Sequence, residues 1–279
     1  MPTIRLFGAA PSVGGDDGQV VVLQGHAALL LTRLALGRGR TFSRAELSEG
    51  LWPEASAEKA AGSFNTLLWR LRRLLERPPL QHGELITCDR HGAVALSGSV
   101  PLWLDVKEFE RVVGPGLARS AERLDATDVA RLRAGIALYR SDILPGNTCD
   151  WVLRERERYR RNYLNARRRL LQWAMLRGQY DEGIGHAQAI LERSALREDV
   201  HRDLMRLYLL QGQRAQAMRQ YERCRELLRR ELAIQPVRET LELGREINAA
   251  AFAGTSPWSS RRARPLYLTL SGGWLTGIA

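Results

Sequence analysis

A repeat with a period of 34 residues constrains this chain more than any other feature. Gly178-Gln179 and Gly212-Gln213 stand 34 positions apart, and at that offset Leu176 falls on Leu210, Gly183 on Ala217 and Ile184 on Met218. A helical period of this length is the tetratricopeptide signature: each unit is a helix pair that can bury its apolar faces only by stacking on the next. Small residues are needed where paired helices cross closely, which suits Gly183 and Ala217. Ala187 and Tyr221 fall on the same inner face, and the closing proline of such repeats is replaced by Ala195 and Arg229. From Trp103 onward the apolar spacing is helical almost throughout, punctuated by Gly114-Pro115-Gly116 and Pro145-Gly146.

The first hundred residues follow another pattern. Ile4, Leu6 and Val20–Leu23 predict two short strands around a Gly-rich loop at Gly14–Gly18. Ala27, Leu30, Leu31 and Leu34 mark one face of a first helix, closed by Gly37 and Gly39. Ser43 and Glu46 have capping-box spacing and open a second helix, which carries Leu47 and Leu51 inward and stops at Pro53. A third helix is predicted from about Ala57 to Arg77, ahead of Pro78-Pro79. Leu85–Cys88 and Ala93–Leu96 then flank Asp89-Arg90-His91-Gly92 as a hairpin. The predicted fold is mainly α: a winged helix-turn-helix at 1–102, then an all-α tetratricopeptide-like domain at 103–253. Residues 254–279 form a Gly, Ser, Thr and Pro-rich tail, with Trp258, Tyr267 and Trp274, that is expected to be poorly ordered.

The third helix carries the sharpest chemical signal. Phe64, Leu67, Leu68, Leu71, Leu74 and Leu75 form a stripe that must face a core. The opposite side presents Asn65, Thr66, Trp69, Arg70, Arg73 and Arg77, with Arg72 on its flank. Arginine can donate two parallel bonds to guanine, and asparagine can pair similarly with adenine. Arg70 and Arg73 are one turn apart, so both could address a major groove. A hairpin tip bearing Arg90 and His91 beside that helix would reach phosphate or the adjacent minor groove. An Arg-rich face is by itself as compatible with plain solvation; the order of strands, three helices and hairpin is what points to double-stranded DNA.

Charge adds little to this reading. The formal net charge is +11, yet residues 1–110 hold twelve basic and twelve acidic side chains, while residues 111–253 hold twenty-seven and nineteen. Only Lys59 and Lys107 among the 42 basic residues are lysine, a bias that a GC-rich coding sequence produces as readily as function does. Other chemistries lack a pattern. His26, His82, His91, His186 and His201 have no zinc spacing, no phosphate loop or nucleophile elbow occurs, and Asp150-Trp151 with Arg154–Glu157 reads as ion pairs on a solvated helix. Arg154–Arg169 is likewise a helix with a core stripe, whose arginines contact water, DNA backbone or an acidic partner. Neither an enzyme nor a cofactor is expected. No apolar run is long enough for a membrane span, no signal peptide is read, and Cys88, Cys149 and Cys224 read as reduced thiols, so a cytoplasmic protein is expected.

The stretches TFSRAELSEGLWPE (41–54) and SFNTLLWRLRRLLE (63–76) resemble the OmpR-type winged helix. ALYRSDILPG (137–146), Asp150-Trp151 and LREDVHRDLMRLYLLQGQRAQAMRQYERCRELLRREL (196–232) resemble the bacterial transcriptional activation domain. Together, over residues 3–245, the chain resembles the Streptomyces antibiotic regulatory protein (SARP) type of activator. The resemblance implies a third helix in the major groove, binding to direct repeats as side-by-side copies, and recruitment of RNA polymerase. With no receiver domain read ahead of the winged helix, aspartyl phosphorylation is not expected. Two features depart from the pattern: Gly92 is followed by Ala93 where a Gly-Tyr pair is usual, and residues 11–18 form a Gly-rich insertion. The alternative reading is a tetratricopeptide scaffold that binds a protein, with the winged helix as an interaction module.

Overall fold

The computed structural model describes residues 2–15, 18–78 and 80–249, and the tail expectation for 254–279 lies outside them. The chain divides into two compact units, residues 1–115 with 130–163, and residues 116–129 with 164–279.

The first unit opens with strands β1 (Thr3–Arg5), β2 (Ser12–Gly14) and β3 (Val20–Val22). They form a sheet of order β3-β2-β1-β6, in which the late strand β6 (Trp103–Leu104) runs parallel to β1. The sequence predicted two strands here. The middle strand β2 lies inside the Gly-rich insertion, where its three residues alternate too briefly to show a period. Helices α1 (Gly25–Leu36), α2 (Arg44–Leu51) and α3 (Ala57–Leu75) follow, then the hairpin β4 (Ile86–Cys88) and β5 (Val94–Leu96). Phe42 adds a further rung, exchanging both backbone hydrogen bonds with Val94. Helix α1 is buried on nearly every side, and Ala27 is only half-buried at the rim of that core. Of the expected capping box one half forms: the Ser43 hydroxyl accepts the Glu46 N–H, whereas the Glu46 carboxylate turns to Arg33 and Arg40.

The packing of this unit runs past residue 102, where the sequence drew a domain boundary. The buried Asp105 carboxylate, at the start of α4 (Asp105–Leu117), accepts the N–H groups of Leu6, Phe7 and Val106. Phe7 packs edge-on against Phe109 and Tyr159 and lies 4.7 Å from the Tyr139 ring. Tyr139 follows helix α5 (Ala126–Leu138), and Tyr159 belongs to the 27-residue helix α6 (Asp150–Leu176). Four aromatic side chains thus join β1 and its sequel to helices that the sequence grouped with the second domain.

The second unit takes the C-terminal half of α6 and adds α7 (Tyr180–Arg193), α8 (Glu198–Leu210), α9 (Arg214–Leu232) and α10 (Arg238–Ala249). The repeat is visible in its backbone. Gly178 and Gly212 sit at φ +70° and +74°, the left-handed region that glycine enters without a Cβ clash. The following N–H groups bond back identically, Gln179 to the Ala174 carbonyl and Gln213 to the Tyr208 carbonyl. Ala187, Ile190, Val200, Leu204 and Leu207 form the core between α7 and α8. Met205, Ala217, Cys224, Leu228, Leu243 and Ile247 form the core from α8 to α10.

Candidate nucleic-acid interface

Helix α3 is 19 residues long, about 28 Å at 1.5 Å per residue. Its inner face buries Ala60, Phe64, Leu68, Leu71 and Leu75, while Leu67 and Leu74, at the rims of the predicted stripe, are half-buried. The outer face exposes Asn65, Thr66, Trp69, Arg70 and Arg73, and the helix ends at Leu75, two residues short of the predicted Arg77, which stands exposed beyond it.

The exposed groups differ in how free they are. Thr66 returns its hydroxyl hydrogen to the Gly62 carbonyl, and Arg77 donates to the Gln19 side chain. Asn65 accepts from Arg44 at 2.5 Å. Arg72 is half-buried and donates through Nε and Nη2 to the Ile86 carbonyl at 3.0 and 2.7 Å, and through Nη2 to Cys88 Sγ. It therefore ties the helix to the hairpin. Arg70 and Arg73 have no hydrogen bond or ion pair among the described residues. Arg73 instead lies over the indole of Trp69, with its guanidinium carbon 5.4 Å from the ring centroid. Trp69 is 52% exposed. Beside Arg70 opens a cleft of about 450 Å³, lined by His26, Trp52, Gly62, Ser63, Thr66 and Leu67.

Arg90 and His91 stand exposed at the hairpin tip. The turn is built by Asp89, whose carboxylate accepts the N–H groups of His91 and Ala93, and by Gly92 at φ +80°. Three residues that hold this arrangement were not singled out from the sequence. Glu76, with 1% of its side chain exposed, caps the end of α3 and accepts the N–H groups of Gly83, Leu85 and Ile86. Arg44, in the first turn of α2, donates to the Gly92 carbonyl and to Asn65, linking hairpin tip to helix. Arg38 donates to the carbonyls of Ser97, Gly98, Val100 and Leu102 and so fixes the segment leaving the hairpin. Their signal lies in distant backbone groups, which a periodicity search does not see.

Among the described residues no cluster of three His, Cys, Asp or Glu side chains could hold a metal, and no helix is long and apolar enough to cross a membrane.

The family profile described as bacterial transcriptional activator domain matches residues 104–248. The chain is 28% identical over 258 residues to the regulatory protein AfsR of Streptomyces coelicolor, a match covering 90% of this chain and 25% of that protein. A second AfsR, from Streptomyces griseus, is 28% identical over 237 residues, covering 78% and 22%. The chain thus spans about a quarter of the length of these curated relatives. In fold it is similar to Mycobacterium tuberculosis EmbR, solved in complex with a low affinity phosphopeptide. The TM-score is 0.71 at 19% identity, over 89% of this chain and 65% of that one.

Proposed function

Because the chain belongs to the family of the bacterial transcriptional activator domain, in the SARP-type arrangement, we propose that it is a sequence-specific DNA-binding activator of transcription. In this reading α3 lies in the major groove of double-stranded DNA and Arg70 and Arg73 address base edges. Asn65, Thr66 and Trp69 stand beside them in the groove. Arg77 and the hairpin tip, with Arg90 and His91, reach phosphate or the neighbouring minor groove, and Arg72 holds the hairpin against the helix. The protein occupies direct repeats as side-by-side copies and recruits RNA polymerase.

One observation carries the reading. On the exposed face of α3, Arg70 and Arg73 have no hydrogen bond or ion pair among the described residues, while the helix is tied to the hairpin through Glu76 and Arg72. Donors that are not already spent need not break a bond before they meet a base edge, and a helix fixed in place leaves only the side chains themselves to be ordered. Residues 1–110 are neutral overall, so within them it is the placement of arginines, not net charge, that favours DNA.

Selection of bound fragments from a random DNA pool, followed by a mobility shift at about 0.15 M salt, tests it. An enriched direct repeat is expected, and R70A/R73A should bind it about a hundredfold more weakly or worse with its fold intact. A double variant that binds as well as the parent would remove α3 as the reading helix. Absence of any enrichment would favour the protein-binding scaffold.

A further inference from the structure

Trp69 stands out on the exposed face of α3. Its indole is 52% exposed among the polar side chains of that face. At i+4 on the same helix, Arg73 lays its guanidinium over the ring, 5.4 Å from the centroid. Among the described residues no carboxylate or carbonyl claims Arg73, whereas Arg33 and Arg40 pair with Glu46, and Arg38, Arg44 and Arg72 are all engaged by backbone or side-chain acceptors.

We propose that Trp69 is a positioning residue for Arg73, holding its guanidinium ready for one guanine, rather than an independent reader of DNA. The inference rests on the reading of α3 as the DNA-reading helix. The physical argument concerns rotamers and edges. A solvent-facing arginine samples many rotamers, and fixing it on a base opposes binding. An aromatic face stacks against the guanidinium plane and leaves the N–H edges outward, and those edges carry the paired bonds to guanine O6 and N7. Arg70, a turn away, has no such platform among the described residues, so the two arginines differ in what holds them.

A double-mutant cycle on DNA tests this. The parent, W69A, W69F, R73A and W69A/R73A are compared on the selected operator and on operators with each guanine replaced by 7-deazaguanine, which lacks the N7 acceptor. R73A should lose roughly fivefold to a hundredfold in affinity and become indifferent to one particular 7-deazaguanine. W69A should lose about threefold to tenfold, with its reduced discrimination at that same guanine and at no other. W69F, which keeps a ring, should retain most of the discrimination, and W69A/R73A should bind no more weakly than R73A. Independent losses that multiply in the double variant would overturn the proposal, as would a W69A defect at a different base. A W69A protein indistinguishable from the parent would overturn it too. Failure of the underlying reading looks different: R70A and R73A would then bind the operator like the parent, and both conclusions fall together.

Discussion

The carboxylate of Glu76, one residue beyond α3, accepts the backbone N–H of Ile86, the first residue of β4, at 2.8 Å. Two further N–H groups, of Gly83 and Leu85, converge on the same nearly buried side chain. The loop after Pro78 is thereby wrapped around the end of the helix, and the hairpin is set against it. E76A would leave these donors without an acceptor, a cost of about 1–3 kcal/mol for each that stays buried. Thermal unfolding should show a clear loss of stability, and E76Q, which keeps one carbonyl oxygen, an intermediate one. An E76A protein melting with the parent would mean the loop is held by other contacts.

Arg72 separates positioning from reading. Its guanidinium is committed to the Ile86 carbonyl and Cys88, so R72A should loosen the hairpin and weaken binding to specific and unrelated DNA alike. The base preferences recovered by selection should stay as they are. The stability loss should be about 1 kcal/mol, as for an ordinary net hydrogen bond. A change of preference at a single base pair would place Arg72 among the readers after all.

These two residues also mark how far the sequence could be read. The order of strands, helices and hairpin, and the outward face of α3, follow from apolar spacing, because burial of one stripe dictates the other side. The 34-residue register was legible for a similar reason, since glycines at Gly178 and Gly212 signal the left-handed turns found there. What spacing could not show is which exposed arginine is free. Arg72 and Arg73 are neighbours in sequence, yet one reaches a carbonyl fourteen residues on and the other lies over an indole. Strand β2 and the aromatic junction of Phe7 with Tyr139 and Tyr159 escaped likewise. Three residues are too few for a period, and contacts more than a hundred residues apart leave none.

Gly183 tests the repeat packing. A Cβ built there would lie 3.1 and 3.2 Å from the two methyls of Leu207 and 3.7 Å from the Ala174 methyl. Alanine requires only a small shift of a leucine side chain, and its helix propensity favours it over glycine by up to about 1 kcal/mol. The equivalent position in the next repeat already holds the buried Ala217. G183A should therefore melt close to the parent, while G183L should overpack the crossing and lose about 1–3 kcal/mol. Equal melting temperatures for G183L and the parent would contradict the close approach of α7 and α8.

His201 gives the helical repeat a pH dependence of definite sign. Its Nε2 lies 2.8 Å from the Ala195 carbonyl, which can only accept, so Nε2 carries the proton and Nδ1 accepts from the Gln220 amide. Burial pushes the His201 pKa down, and the nearby Arg223 adds to this. The Ala195 carbonyl, Glu198 and Asp199 oppose the shift without reversing it. The unfolded chain therefore takes up a proton before the folded one does. The stability contributed by neutral His201 is fully present above histidine's ordinary value of about 6.5 and is lost as pH falls through the lowered folded value. Protonation would also turn Nδ1 from acceptor to donor against an amide that is donating to it. Melting temperatures of the parent and H201Q should accordingly differ most near pH 7.5 and converge toward pH 5. A gap between them that stays constant across that range would show that His201 does not titrate on unfolding.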